Sequence, residues 1–175
     1  MKIVQVIEVI NMKRKKIDKY LKKEVITYLI NSDLANLESS ILEDSTINEQ
    51  VNKEGRTLLH LAVIYEKNDI TELLIKMGAN VNVRDNLGWA PLHYSVQSKL
   101  INVTTLLTDR GADLEIRDNY GNTPLWRATF SSQGKGELIT LLIDKGASVD
   151  NENDSGISPI RLAHTIANYD VKQFF

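Results

Sequence analysis

Gly55-Arg56-Thr57-Leu58-Leu59-His60-Leu61-Ala62, Gly88-Trp89-Ala90-Pro91-Leu92-His93-Tyr94-Ser95 and Gly121-Asn122-Thr123-Pro124-Leu125-Trp126-Arg127-Ala128 are three copies of one eight-residue pattern, and their reading decides the fold. Their leading glycines stand 33 residues apart. A weaker fourth copy, Gly156-Ile157-Ser158-Pro159-Ile160-Arg161-Leu162-Ala163, follows after 35. A second ladder of glycines, Gly78, Gly111 and Gly146, repeats the same 33 and 35. The two additional residues have a natural home in the turn-rich stretch Ser131-Ser132-Gln133-Gly134-Lys135-Gly136. Self-similarity at such a period is the mark of stacked structural units, each too small to bury its own apolar face.

Each copy spells out a pair of short helices. Thr57, Thr123 and Ser158 carry a side-chain oxygen that can accept from an otherwise unpaired N–H, so they suit helix N-caps. Pro91, Pro124 and Pro159 come next, at the first helical position, where a missing N–H is harmless. Leu59, Leu92, Leu125 and Ile160 then start an apolar stripe. The second helix of each unit reads Ile70, Leu73, Leu74, then Val103, Leu106, Leu107, then Leu138, Leu141, Leu142. That i, i+3, i+4 spacing marks one buried face. Gly78, Gly111 and Gly146 lie just past these helices, where a left-handed cap favours glycine. The segments Val81–Asn86 and Leu114–Asn119 alternate and end in Asp-Asn, a turn signal that predicts projecting hairpins.

The period and the Thr-Pro-Leu-His-x-Ala core resemble the ankyrin repeat family over roughly residues 20–175. Leu58 for Pro, Ala90 for Thr, and Trp126 and Arg161 for His depart from that core without disturbing its register. The resemblance implies an all-α solenoid of stacked helix-turn-helix units with β-hairpin loops. It divides the chain into an N-terminal extension (1–16), a divergent capping repeat (17–50), full repeats (51–84, 85–117, 118–150) and a partial terminal repeat (151–175). In the capping repeat, residues 17–30 suit a first helix, and Leu34, Leu37, Ile41 and Leu42 a second, capped by Ser32 or Asp33. The chain stops at Phe174-Phe175, a turn into what should be a second helix, so an exposed apolar end and self-association through it are expected.

The resemblance also implies a function: a non-enzymatic binding module that holds another protein on the concave side lined by hairpin tips and first helices. Masking or inhibiting that partner is the expected role, as in bacterial immunity proteins that neutralise a toxin or host-directed effectors. Carried onto this sequence, the family's variable positions place Arg56, Tyr65, Leu87, Trp89, Tyr120, Asn122 and Phe130 at the partner surface, with Arg84 and Arg117 on the hairpins between and Trp126 where the family has a smaller His; packing between repeats is the alternative for Trp126 and Phe130. Tryptophan, tyrosine and arginine dominate interface energies, and Trp89 and Tyr120 are expected to be anchors whose truncation leaves the fold intact. Thr57, His60, Pro91, His93, Thr123, Pro124, Gly78, Gly111 and Gly146 are assigned to the architecture of the repeat.

Chemistry-bearing residues are sparse. His60 and His93 share a repeat position, which points to a structural imidazole, and His164 lies in the last partial repeat. Asp85 and Asp118, also one period apart, read as turn formers in preference to an acid/base pair. Gly134-Lys135-Gly136 lacks the preceding strand and the flanking glycines of a phosphate cradle. No catalytic residues, metal, cofactor or small-molecule substrate are expected. With no cysteine the chain makes no disulfide, and with a formal charge of −2 it has no global pull toward polyanions. The first residues show no cleavable secretory pattern and no run approaches the ~20 apolar residues of a membrane span, so a cytoplasmic setting is expected. The strongest charge asymmetry is basic: Lys13-Arg14-Lys15-Lys16 with Lys19, Lys22 and Lys23. It reads as a solvated helix face, with nucleic-acid or membrane-surface binding the less favoured alternative.

Overall fold

The computed structural model describes residues 23–44, 47–166 and 169–175. Most of the basic run, Lys13 to Lys22, and the extension before it therefore lie outside the described residues. The chain divides into two compact units, residues 1–46 and 47–175. In the first, α1 covers residues 23–31 and α2 spans Leu34–Asp44. Val25, Leu29, Leu37 and Ile41 are buried, while Leu42 is exposed. Asp33 takes the cap of α2: its Oδ1 accepts from the Asn36 amide at 3.3 Å, and Ser32 instead adopts a positive φ of 58°.

The second unit repeats one motif. Its first helices are α3 (Leu58–Ile64), α5 (Pro91–Gln97), α7 (Pro124–Ser131) and α9 (Pro159–Thr165). Its second helices are α4 (Asn68–Lys76), α6 (Ile101–Asp109) and α8 (Glu137–Asp144). First helices touch in the order α3, α5, α7, α9 and second helices in the order α4, α6, α8, so the α5/α6 and α7/α8 pairs are sandwiched between neighbours. Helices of seven to nine residues cannot hold themselves in water; packing holds them. Leu59, Leu74, Leu92, Leu107, Leu125 and Leu142 are fully buried. The expected buried faces of α4, α6 and α8 are in place, with Leu73, Leu106 and Leu141 at their half-exposed edges.

The terminal signals act as their chemistry requires. Thr57, Thr123 and Ser158 accept from the amides of His60, Trp126 and Arg161. Pro91, Pro124 and Pro159 open their helices. After each second helix Gly78, Gly111 and Gly146 take φ of 90°, 82° and 98°. That lets the next amide, of Ala79, Ala112 or Ala147, reach back to Leu74, Leu107 or Leu142 at 2.9–3.0 Å, closing carbonyls that would otherwise be unpaired.

No strand forms among the described residues. The loops expected as β-hairpins turn back on two backbone bonds each: Asp85 N to Trp89 O and Gly88 N to Asp85 O, with the same pair at Asp118 and Asn153, at 2.9–3.1 Å. The tips bond to each other, Asn86 N to Glu54 O, Asn119 N to Leu87 O and Asp154 N to Tyr120 O. The chain end is not bare. A 3-10 turn, Val171–Phe174, replaces the second helix, and Val171 is fully buried. The loop that absorbs the two-residue insertion seats this tail: a Cβ on Gly134 would strike Tyr169, and one on Gly136 would strike Phe174.

Candidate functional site

Four turns carry a residue at one register, Asn52, Asp85, Asp118 and Asn153, whose side-chain oxygen caps the turn. Asp85 Oδ1 accepts from Leu87 N and Trp89 N, Asp118 Oδ1 from Tyr120 N and Asn122 N, and Asn153 Oδ1 from Ser155 N and Ile157 N. Asn52 Oδ1 accepts from Arg56 N. These aspartates are turn formers, and both are buried.

A buried carboxylate is tolerable only when its other oxygen is matched. Asp85 Oδ2 receives the Tyr94 hydroxyl at 2.5 Å and faces Arg56 Nε at 3.5 Å. Asp118 Oδ2 receives both Nε and Nη2 of Arg127. Burial alone would raise the Asp118 pKa, but Arg127 and the amides of Tyr120 and Asn122 outweigh it and hold the carboxyl below the usual range. Burial and the bond to Asp85 push the Tyr94 hydroxyl up to about 12.

Tyr94 and Arg127 share one register, nine residues beyond their aspartates. Where the turn residue is a neutral asparagine, that register holds leucine, Leu61 and Leu162. Tyr94 and Arg127 were not among the residues singled out for the surface, although this pairing of charge with partner was open to view.

The side chains join in a row across three repeats. Arg56 lies 5.4 Å from the Tyr94 ring, and Tyr94 packs on Trp89 at 4.9 Å. Arg127 sits 4.8 Å from Trp89 and 5.6 Å from Trp126, and Trp126 stacks on Phe130 at 5.4 Å and 15°. Such contacts between cations and ring faces are stabilising, so the row is held from within.

The ten residues expected at the partner surface divide accordingly. Leu87, Tyr120, Tyr65 and Phe130 are 51%, 68%, 49% and 60% exposed, the kind of large apolar surface that seeks cover. Arg84 and Arg117 are exposed at the tips. Arg56, Trp89 and Trp126 are half-buried. Trp89 packs against His93, Tyr94 and Arg127, so one side of its ring is already engaged within the repeats. Asn122 is buried; its amide is committed to Asp118 and its oxygen to Asn153, which removes it from the surface.

The architectural histidines are fully buried. His60 Nδ1 accepts from Thr57 N, and its Nε2 lies 3.0 Å from Trp89 O in the next turn. His93 Nδ1 accepts from Ala90 N, and its Nε2 lies 3.2 Å from Asn122 O. Each imidazole is thus neutral and donates to the following repeat. Burial lowers both pKa values, that of His93 to about 4. His164 is exposed on α9, with Nδ1 2.9 Å from Ile160 O. Among the described residues no three His, Cys, Asp or Glu side chains are placed to hold a metal ion, and no helix is long and apolar enough to cross a membrane.

The family model for ankyrin repeats, in three copies, matches residues 19–118 and 87–154. Among curated proteins, the human neurogenic locus notch homolog protein 1 is 34% identical over 58 residues, which is 33% of this chain and 2% of the relative. The rat 26S proteasome non-ATPase regulatory subunit 10 is 36% identical over 61 residues, 35% of this chain and 26% of the relative. A fowlpox virus ankyrin repeat protein is 32% identical over 72 residues, 41% of this chain and 17% of the relative. The chain thus spans only a minor part of each.

Proposed function

The chain belongs to the ankyrin repeat family, and on that premise we propose that it binds a partner protein across its turn tips and first helices, masking or inhibiting that partner. Ankyrin repeats are protein–protein interaction modules and the family's fold is a non-catalytic one. One of the relatives is by name a regulatory subunit of a larger assembly, in keeping with a role exerted through contact. The proposed contact surface comprises Tyr65, Leu87, Tyr120 and Phe130, with Arg84 and Arg117 beside them and the row from Arg56 to Trp126 behind.

The observation that carries the reading is the exposure of Leu87 and Tyr120 on adjacent tips. Neither side chain caps a turn, yet both are large and apolar, and their backbones are pinned by bonds to neighbouring turns. Anchors already fixed in place lose little freedom on binding. An interface over this face would bury ~1,200–2,000 Å².

The test is capture of partners by tagged protein, quantified for the wild type and for the Leu87→Ala/Tyr120→Ala variant. A partner of this face should lose about thirtyfold in affinity for each anchor that contributes ~2 kcal/mol. Partners captured equally by both proteins would remove the face from consideration.

A further inference from the structure

We propose that the ligand of this face is an acidic protein segment carrying aromatic or aliphatic side chains, whose carboxylates engage Arg84 and Arg117. The proposal rests on the binding-face reading above and adds the partner's chemistry to it.

The two arginines occupy the same register in successive turns, Arg84-Asp85-Asn86-Leu87-Gly88-Trp89 and Arg117-Asp118-Asn119-Tyr120-Gly121-Asn122. The only acids in those turns are Asp85 and Asp118, and both are buried against their own partners. The outward face of the two tips is therefore cationic, although the chain as a whole is slightly acidic. Both guanidiniums are exposed, and among the described residues neither has a carboxylate within ion-pair distance.

Both are nevertheless tied down. Arg84 Nε donates to Gly88 O at 3.1 Å and Nη2 reaches Asn119 Oδ1 at 3.4 Å. Arg117 Nη1 donates to Glu152 O at 3.0 Å. A guanidinium has five N–H donors, so each fork keeps several for a guest while its direction is already set. A planar fork of this kind fits a carboxylate in two-point contact, and pre-ordering reduces the entropy lost on binding. Exposed Leu87 and Tyr120 adjoin Gly88 and Asn119, the two residues that hold the Arg84 fork, so the guest needs apolar groups among its acids.

The neighbouring turns bound the cationic stretch. On the first tip Lys53 lies 3.8 Å from Glu54, so its charge is matched. On the fourth, the side chains of Glu152 and Asp154 are exposed. An acidic guest is repelled there and must centre on the second and third tips.

The experiment is selection from a random 12-residue peptide library on immobilised wild-type protein, followed by affinities for individual peptides. The proposal expects Asp or Glu beside Leu, Ile, Phe, Tyr or Trp in the selected sequences. Affinity should fall about tenfold or more in Arg84→Gln/Arg117→Gln, and by a similar factor between 50 and 500 mM salt. Arg84→Lys/Arg117→Lys keeps the charge while losing the same anchoring bonds, so it should retain an intermediate affinity. Equal loss in the Lys and Gln variants, with an altered unfolding midpoint, overturns the charge argument. Peptides sensitive to Leu87→Ala/Tyr120→Ala but indifferent to both arginine variants overturn the acidic class and leave the face standing. Peptides indifferent to all these variants, or no peptide at all, overturn the face itself. Tighter binding of a 15-nucleotide single-stranded RNA than of any selected peptide, lost in the arginine variants, assigns the forks to phosphate and overturns the proposal.

Discussion

The joints between the first three full repeats and the joint to the last one solve the same problem with different side chains. At the first two, a buried histidine donates to a carbonyl of the following turn, Trp89 O or Asn122 O. At the third, Trp126 stands in that register and its Nε1 is buried with no hydrogen-bond partner among the described residues. Polar side chains cross this joint as they cross the earlier ones: Asn153 to Asn122, Arg117 to Glu152 O, and Glu115 to Ser148 N and Asn151, where Asn82 meets Asp113 N and Arg84 meets Asn119 one repeat before. Trp126 gains the stack with Phe130 and the contact with Arg127. The difference teaches where the sequence stopped optimising the stack. A buried N–H without a partner costs ~1–3 kcal/mol, and what accompanies that cost is an aromatic pair ending in exposed Phe130.

The same contrast runs through the turns, and it can be broken most severely at Arg127. Arg127→Leu leaves Asp118 buried with only amides against its charge. Unfolding stability should fall by about 3 kcal/mol in urea titration, the scale for removing one partner of a buried pair. Asp118→Asn added to it rebuilds the Asn153/Leu162 arrangement of the last repeat. The double variant should recover all but about 1 kcal/mol, giving a coupling between neighbours of about 2 kcal/mol plus whatever Asp118→Asn costs alone. Purely additive losses would show that the flanking and central turns are not alternative solutions to one constraint.

Acid should distinguish the histidine joints from the tryptophan joint. The unfolded chain protonates His93 near pH 6.5, the folded chain only near pH 4. Between those values the unfolded state binds more protons, so the contribution of neutral His93 to the stability of the folded state is fully present above pH 6.5 and drains away as pH falls toward 4. The loss is roughly 3 kcal/mol for a fully buried imidazole with this shift, and His60, shifted in the same direction, adds to it. Asp118 behaves separately, because its depressed pKa contributes stability that is lost only as pH falls through the lower carboxylate range. The urea midpoint should therefore decline from pH 7 to pH 4 in the wild type and decline less in His93→Asn. Equal slopes would mean that His93 titrates alike in the folded and unfolded chains.

Periodicity made the architecture legible because each repeat states the same local rules. Thr57, Pro91, Gly78 and the leucine stripes could be placed by capping, backbone and burial arguments that need no knowledge of neighbours. The surface was harder to read, since exposure depends on contacts between repeats. Register places Trp89 toward the outside, and it is half-exposed there, but register does not tell that Arg127, 38 residues away in sequence, lies over its ring. Asn122 was assigned there too, and Asn153 of the following turn encloses it. The clue that would have helped is a correlation between registers: Asp with Tyr94 or Arg127, Asn with Leu61 or Leu162. A charged turn residue requires a polar neighbour, so that register was already committed to the turn. The hairpin strands were over-read for a related reason, because alternation predicts extended backbone but not the ladder that makes it a strand.

Two smaller effects sharpen the contrast from opposite sides. Trp126→His places an imidazole where Ile157 O, which already accepts from Asn153 N, repeats the geometry of Trp89 O with Asp85 N. The new hydrogen bond contributes ~1 kcal/mol, and loss of the stack with Phe130 takes away ~0.5–1.5 kcal/mol. Stability at pH 7 should stay within about 1 kcal/mol, while the acid slope steepens as a third buried imidazole joins the other two. An unchanged slope would mean that the third joint cannot accept the histidine solution, and that Trp126 was retained for packing. Tyr120→Ala should matter least of all to the fold, shifting stability by less than ~0.5 kcal/mol, since the side chain is 68% exposed and only its backbone is bonded to neighbours. A larger shift would mean that the tip residue helps hold the turn. It would then lose its standing as an anchor free to meet a partner, and Leu87 would remain to carry that role.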